Sequence, residues 1–309
     1  MKRKTNKKRR KIKQFIPLYF MMLPGIIYVI INNYIPMLGL RIAFKKYNYA
    51  KGITGSKFVG FKNFEFLFTT KDAFVITRNT LCYNAVFILL GTVLAITVAI
   101  LLNEIRRVML KKFYQTIILI PFLISMVVVS YLVYAFLNTD TGFINNSILK
   151  PLGLNAISWY SSPQYWPVIL VLVHLWKGFG YTSIIYFAAL VSVDKGYFEA
   201  AAIDGASKWR QIRHITLPFL KPTIIILTLM SIGRIFYSDF GLFYQVPMNS
   251  GLLIDATNTI DTYVYRGLIT LNNVSMASAA GFFQSIVGFL LVLTANLIVK
   301  KVSEENALF

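Results

Sequence analysis

Six long, weakly charged apolar runs leave this chain few ways to fold. They lie roughly at 15–38, 80–102, 113–136, 165–191, 222–243 and 276–299. Each is long enough for the helix of about 20 residues that crosses a bilayer core. In hydrocarbon every backbone N–H and C=O must be satisfied within the protein, which restricts spanning segments to helices or closed barrels. Runs of this length and continuity predict helices. The composition agrees: 14% of residues are charged and 56% are hydrophobic, with a mean hydropathy of +0.61. A soluble domain carries about a quarter charged residues. The expectation is therefore an all-α membrane protein with six transmembrane helices. The first run has no small-x-small cleavage site and exceeds a signal-peptide core, so it reads as an uncleaved span. Pro24, Gly25 and Pro36 predict bends in it.

The net charge of +20 is unevenly spread. Nine basic residues fall within the first fourteen, directly before the first apolar run, which is how the inner flank of a membrane anchor reads. That placement argues against a nucleic-acid-binding arm. Six spans put both termini on one side, with twenty basic residues there and ten opposite, so both termini are expected to be cytoplasmic. Eight of the ten lie in 41–78 and run against this trend. The division predicted is a basic cytoplasmic tail at 1–14 and one six-helix domain at 15–309. The only cysteine is Cys82, and His174 and His214 lie far apart, so no disulfide framework or Cys/His metal cluster is predicted.

Residues 41–78 are aromatic and mixed in character. Gly52 and Gly55 predict helix breaks, and Phe61, Phe64 and Phe68 predict an apolar stripe on a short surface helix. Residues 194–221 form the longest polar passage between apolar runs. Glu199-Ala200-Ala201 suits the start of a helix, Gly205 permits a turn, Lys208–Ile215 suits a second short helix, and Pro218 predicts its end or a kink. The pattern is helix, turn, helix between two spans.

Glu199-Ala-Ala, then Gly205, then Ile215-x-Leu217-Pro218 resembles the EAA loop of ABC importer permeases in sequence, spacing and context. The phrases Phe58–Phe64, Ser238–Tyr244, Ile260–Arg266 and Met276–Gln284 resemble the binding-protein-dependent sugar-transport branch, in its oligosaccharide and polysaccharide-fragment subgroup. The resemblance covers nearly the whole chain. It implies a type I ABC importer permease fold in a bacterial plasma membrane. It also implies that Glu199, Ala200, Ala201, Asp204, Gly205, Ile215, Leu217 and Pro218 couple the chain to an ATPase. In that family Glu199 pairs with a basic group, Ala200 and Ala201 allow close approach, and Gly205 makes the turn. The partners implied are a second homologous permease, two ATPase subunits and an extracellular sugar-binding protein, besides the oligosaccharide and membrane lipids. No cofactor is expected in this chain, because ATP and Mg belong to the partner ATPase. A phosphate-binding loop needs G-x-x-x-x-G-K-[ST]; the nearest phrase, Gly52–Lys57, has the wrong spacing and is followed by Phe58.

Polar residues inside the apolar runs are candidates for a substrate pathway, since charge at that depth is costly and lines cavities or pairs. Arg234 and Asp239 fall within the fifth run, with Tyr237, Tyr244 and Gln245 nearby. Aromatic faces and amides suit sugars, but a structural ion pair with an interfacial aromatic belt reads equally well. Lys177, beside Trp176 on the fourth run, either lines the pathway, pairs with Asp239 or snorkels to an interface. Tyr83 and Asn84 either face the pathway or, for Asn84, bond between helices. Two other functions remain open at this level: an ion-gradient-driven transporter using Arg234 and Asp239, and a membrane scaffold without transport.

Overall fold

Proline does not stop the first apolar run from forming a helix. The computed structural model describes residues 2–302, and in it α1 (Lys2–Val29) carries Pro17 and Pro24 within a continuous helix. The basic run and the first apolar stretch therefore share one helix. Past Val29 the helix loosens into a wider turn at Ile30–Tyr34 and tightens at Leu38–Phe44, on either side of Pro36. Proline removes one N–H and crowds the preceding turn, which explains a change of winding without a break.

Among the described residues, five helices are long and apolar enough to cross a membrane, or six when one bent pair counts as a single span. They include α1 and α2 (Lys71–Glu104), α5 (Trp166–Val191), the stretch ending in α8 (Leu217–Ile232), and α10 (Val274–Val302). The bent pair is α3 (Val108–Leu123) and α4 (Met126–Leu137), which meet at 94°. The third apolar run is thus not the single straight span expected. Pro121 sits in the last turn of α3, Ile124 and Ser125 are extended, and the Ser125 side chain caps α4 by accepting from Val128 N.

Helices α2 and α5 pack against each other along their length. Toward Glu104 the contact is made by Ala95, Ala99 and Leu102 against Tyr186 and Leu190, with Leu220 from α8. Toward Lys71 it is made by Tyr83 and Phe87 against Trp166, Leu170 and Phe243. In lipid such contacts hold by close packing rather than by escape from water, so small residues matter where backbones approach. Gly180 is the sharpest case, since a Cβ there would sit 1.8 Å from the Ile118 carbonyl oxygen of α3. By contrast, the apolar window of the first span, within Pro17–Phe44, is 0% buried.

The two ends of α2 mark two faces. At about 1.5 Å per residue, its 34 residues span about 50 Å. Near its start lie a two-stranded hairpin, β1 (Lys45–Lys46) and β2 (Lys57–Phe58), and the short helix α9 (Ile260–Leu271), whose Tyr263 stacks on Phe66. At its end Glu104 meets the 194–221 loop. Around the hairpin, Gly52 opens a helical turn (Gly52–Gly55) at φ +64 instead of excluding one. The expected Phe stripe does not form a single face: Phe64 is buried with Ala43, Leu67 and Ala279, whereas Phe61 and Phe68 are exposed.

Candidate functional site

The 194–221 loop builds itself from local signals. Asp194 caps α6 (Lys195–Ile203) by accepting from Gly196 N. Gly205 then turns the chain at φ +73, where a Cβ would strain the backbone. Ala206 N donates to Ala201 O at 2.8 Å and Gly205 N to Ala202 O at 3.1 Å, the paired bonds of a Schellman turn. Ser207 caps α7 (Lys208–Gln211), which runs through a wider turn at Ile212–Thr216 into α8. Pro218 lies inside this continuous helix, directly after the wider turn at Ile212–Thr216, so it goes with a change of winding and does not end the helix.

The hairpin presents its side chains outward. Ile203 is 87% exposed and Trp209 72% exposed, unusual for such large apolar groups. Glu199 lines a cavity of about 670 Å³ with Glu104, Lys111, Lys195, Phe198 and Lys208. Glu199 makes no hydrogen bond or ion pair among the described residues, while Lys208 holds Glu104 at 2.8 Å.

The second site lies where α8 stops. The helix ends at Ile232, and 233–239 is unwound. Arg234 and Asp239 are therefore not inside a spanning helix, as the apolar run implied. Unwound backbone at membrane depth is tolerated only when other groups satisfy it. Here three side chains do so. Asn84 Nδ2 on α2 donates to the carbonyls of Ile235 at 2.8 Å and Tyr237 at 2.9 Å. Gln284 Nε2 on α10 donates to Phe236 O at 2.7 Å. Asp261 Oδ2, in the first turn of α9, accepts from Ser238 N at 2.7 Å and from its hydroxyl at 2.8 Å. Asp239 Oδ1 then accepts from Leu242 N, starting a wide helical turn at Gly241–Gln245.

This segment walls a cavity of about 550 Å³ between α2 and α5, lined by Asn84, His174, Thr182, Arg234, Tyr237 and Asp239 among others. His174 stacks flat on Phe87, with centroids 3.7 Å apart. The Tyr237 hydroxyl reaches Ser285 at 2.8 Å. The Arg234 side chain is exposed to the cavity and forms neither a hydrogen bond nor an ion pair among the described residues, with Asp239 or otherwise. A cavity with a free guanidinium, a carboxylate, a phenol and hydroxyls can hold a polyhydroxylated solute.

A sequence profile for the inner membrane component of binding-protein-dependent transport systems matches residues 88–304. The chain belongs to this family. Among its relatives in Bacillus subtilis, the protein LplB is 37% identical over 94% of this chain and 90% of its own length. The polygalacturonan/rhamnogalacturonan transport system permease protein YteP is 38% identical over 98% of this chain and 94% of its own length. A crystal structure of a bacterial ABC transporter that imports the acidic polysaccharide alginate superposes with a TM-score of 0.86 at 32% identity, covering 96% of this chain and 99% of the matched one. A second structure of a bacterial alginate transporter, bound to a periplasmic protein carrying an alginate pentasaccharide, gives 0.85 at 33% identity, covering 95% and 97%.

The permease is thus a multi-pass component of a bacterial plasma membrane importer, and a transport subunit rather than an enzyme. Membership removes the ion-gradient transporter and the scaffold. Of the pathway residues expected from sequence, the permease brings Asn84, Arg234, Tyr237 and Asp239 together around one cavity. It places five others elsewhere. The Tyr83 hydroxyl donates to Ala256 O, and its ring is buried against Phe87 and Phe243. Trp176 is exposed on α5, away from that cavity. Tyr244 stacks on Phe240 and meets Tyr265 edge-on. Gln245 buries its Oε1 without a hydrogen-bond partner among the described residues. Lys177 neither pairs with Asp239 nor snorkels: its ammonium donates to the carbonyls of Pro121, Phe122 and Ile124 at 3.3, 3.1 and 2.5 Å. It fastens the C-terminal end of α3 at the bend, where a cation also suits the helix dipole. Sequence reading missed His174 as a cavity residue, along with Asp261 and Gln284 as supports. Gln284 inside an apolar run was the available signal.

Proposed function

We propose that this permease carries oligosaccharides received from an extracellular binding protein, by alternating access driven by ATPase subunits that dock on the Glu199 loop. The observation that supports this most is the loop itself: a self-capped helical hairpin with Glu199 and Trp209 unengaged, at the opposite end of α2 from the hairpin and α9. A rigid hairpin fixed between spans converts the closing of docked ATPases into a tilt of those spans. Glu199 pairs with a basic group of the ATPase, Ala200 and Ala201 allow close approach, and Asp204, Ile215, Leu217 and Pro218 shape the rest of the contact. The loop and both termini face the cytoplasm, with the basic residues of 1–14 as an inner anchor ahead of the six-helix domain at 15–309. The exposed face of α1 meets a second, homologous permease and lipid. ATP and Mg bind to the ATPases. Solute passes the cavity of Asn84, Arg234, Tyr237 and Asp239. The names of the relatives and solved structures, polygalacturonan, rhamnogalacturonan and alginate carriers among them, support a sugar cargo.

Co-purification from mild detergent tests the assembly. Recovery of a P-loop ATPase and a second permease with the tagged chain, and ATP-dependent uptake of labelled oligosaccharide by the recovered complex, is the expected result. Recovery of the intact chain alone overturns the reading.

A further inference from the structure

The hairpin face of the molecule holds a cationic cavity that the transport cycle described so far does not use. It measures about 730 Å³ and lies between β1, β2, the 60–66 segment and the start of α10. Lys46, Lys57 and Lys62 line it, and Glu65 is the acidic residue on its wall. None of the three ammonium groups makes an ion pair or hydrogen bond among the described residues. Lys46 and Lys57 stand directly opposite each other in the antiparallel ladder. Like charges in that position repel and weaken a hairpin. Their neighbour shows that this is not for want of alternatives. Lys45, one residue earlier and therefore on the other face, donates to the carbonyls of Ile53 and Thr54 at 2.8 and 3.2 Å. The positive end of the 29-residue helix α10 adds to the same field.

The polar neighbours are held in place with one hydrogen-bonding half to spare. Asn63 spends its amide N–H groups on Ala43 O and Lys45 O at 2.8 and 2.9 Å, which leaves its oxygen as an acceptor. Asn273 accepts from Met276 N at 3.0 Å, which leaves its amide as a donor. Tyr47, whose backbone N–H is fixed by Ser275 Oγ at 2.9 Å, contributes an aromatic ring. Converging cations, a fixed donor, a fixed acceptor and a ring face are the groups that recognise a carboxylated sugar.

We propose that this cavity is a holding site for a carboxylate-bearing oligosaccharide, a chain of uronate sugars, on the face opposite the Glu199 loop. The proposal rests on the sugar-permease reading and narrows its cargo to an acidic class. A phosphate-bearing lipid headgroup shares the negative charge but has no use for the amide pair and ring. The volume suits a small-molecule site, which typically measures about 300–1,000 Å³.

The test uses the assembled importer in nanodiscs, without its binding protein, and measures equilibrium binding of labelled oligogalacturonate and of its methyl ester at equal length. Tight binding of the acid and weak binding of the ester are expected for the native protein. The triple variant K46Q/K57Q/K62Q is expected to lose about tenfold or more in affinity for the acid, with the ester unchanged. The matching Lys→Arg variant should retain most of the native affinity. Equal affinity of variant and native protein for the acid, or equal binding of acid and ester by the native protein, overturns the site. So does acid binding that appears in phosphatidylcholine discs and vanishes when phosphatidylglycerol is included, because lipid then owns the cavity. ATP-dependent uptake of a neutral oligosaccharide by the complete importer separates the two failures. If neutral uptake persists while the site fails, the permease reading stands; if neither acid nor neutral sugar is carried, that reading falls as well.

Discussion

The Glu199 loop and the unwound 233–239 segment are both departures from spanning helix, yet they are stabilised in opposite ways. The loop is held by residues within a few positions of the groups they satisfy: Asp194, Ser207 and the bonds around Gly205. Glu199, Ile203 and Trp209 are left free for something else. The 233–239 segment is held by side chains from far along the chain, Asn84, Asp261 and Gln284. It cannot keep its shape unless α2, α9 and α10 are in place. One region is a prefabricated contact; the other reports the arrangement of the helices around it. That division suits a protein that is pushed at one point and must respond at another.

Replacing Gly205 with Val is the strongest way to break the first half of this contrast. A β-branched residue at φ +73 costs about 1–3 kcal/mol and rebuilds the turn. ATP-dependent uptake should fall at least about tenfold, a factor worth about 1.4 kcal/mol, while membrane insertion and abundance stay normal. Normal uptake by G205V removes the coupling role. Lys177→Met attacks the bend instead. Three carbonyls at α3 lose their donor, and the thermal stability of the purified permease should drop by about 2–4 kcal/mol. An unchanged melting temperature means that water replaces the ammonium.

Asn84→Leu sharpens the second half. Two carbonyls of the unwound segment lose their amide, at about 1–3 kcal/mol for a buried unpaired group. Solute-stimulated ATP hydrolysis should change more than basal hydrolysis; a parallel fall in both would make Asn84 purely structural. Tyr237→Phe deletes only the link to Ser285 and should cost about 0.5–1.5 kcal/mol, read as a small shift in the solute concentration for half-maximal stimulation. The smallest effect is expected from Lys208→Ala. Its pair with Glu104 is largely solvated, so stability should move by less than about 1 kcal/mol. A larger loss would show that the loop leans on α2 and is not self-supporting.

What was legible in the sequence follows the same line. The spans, the loop and its Gly205 turn are written in local patterns: runs of apolar residues, caps and a glycine. The 94° bend between α3 and α4 was not, because the apolar run passes through it without a change in composition. Nor was the end of α8 at Ile232, since Gly233 is ordinary in helices in lipid and Arg234 marks a costly charge but not a helix end; the unwinding is made possible by amides 151 residues before it and 48 residues after it. Lys177 shows the limit most clearly. Its charge marked it as special, but its three acceptors are backbone groups, which every residue has and no sequence pattern advertises.

Lys177 also imposes an order on synthesis. The carbonyls it binds leave the ribosome 53 to 56 residues before it does. Inserting a lone lysine at the centre of a membrane helix costs roughly 2.5–3.5 kcal/mol. In this chain the acceptors are made first, so the cation arrives where its partners already wait. A circular permutant that delivered α5 ahead of α3 would ask the insertion machinery to pass the charge with nothing to receive it.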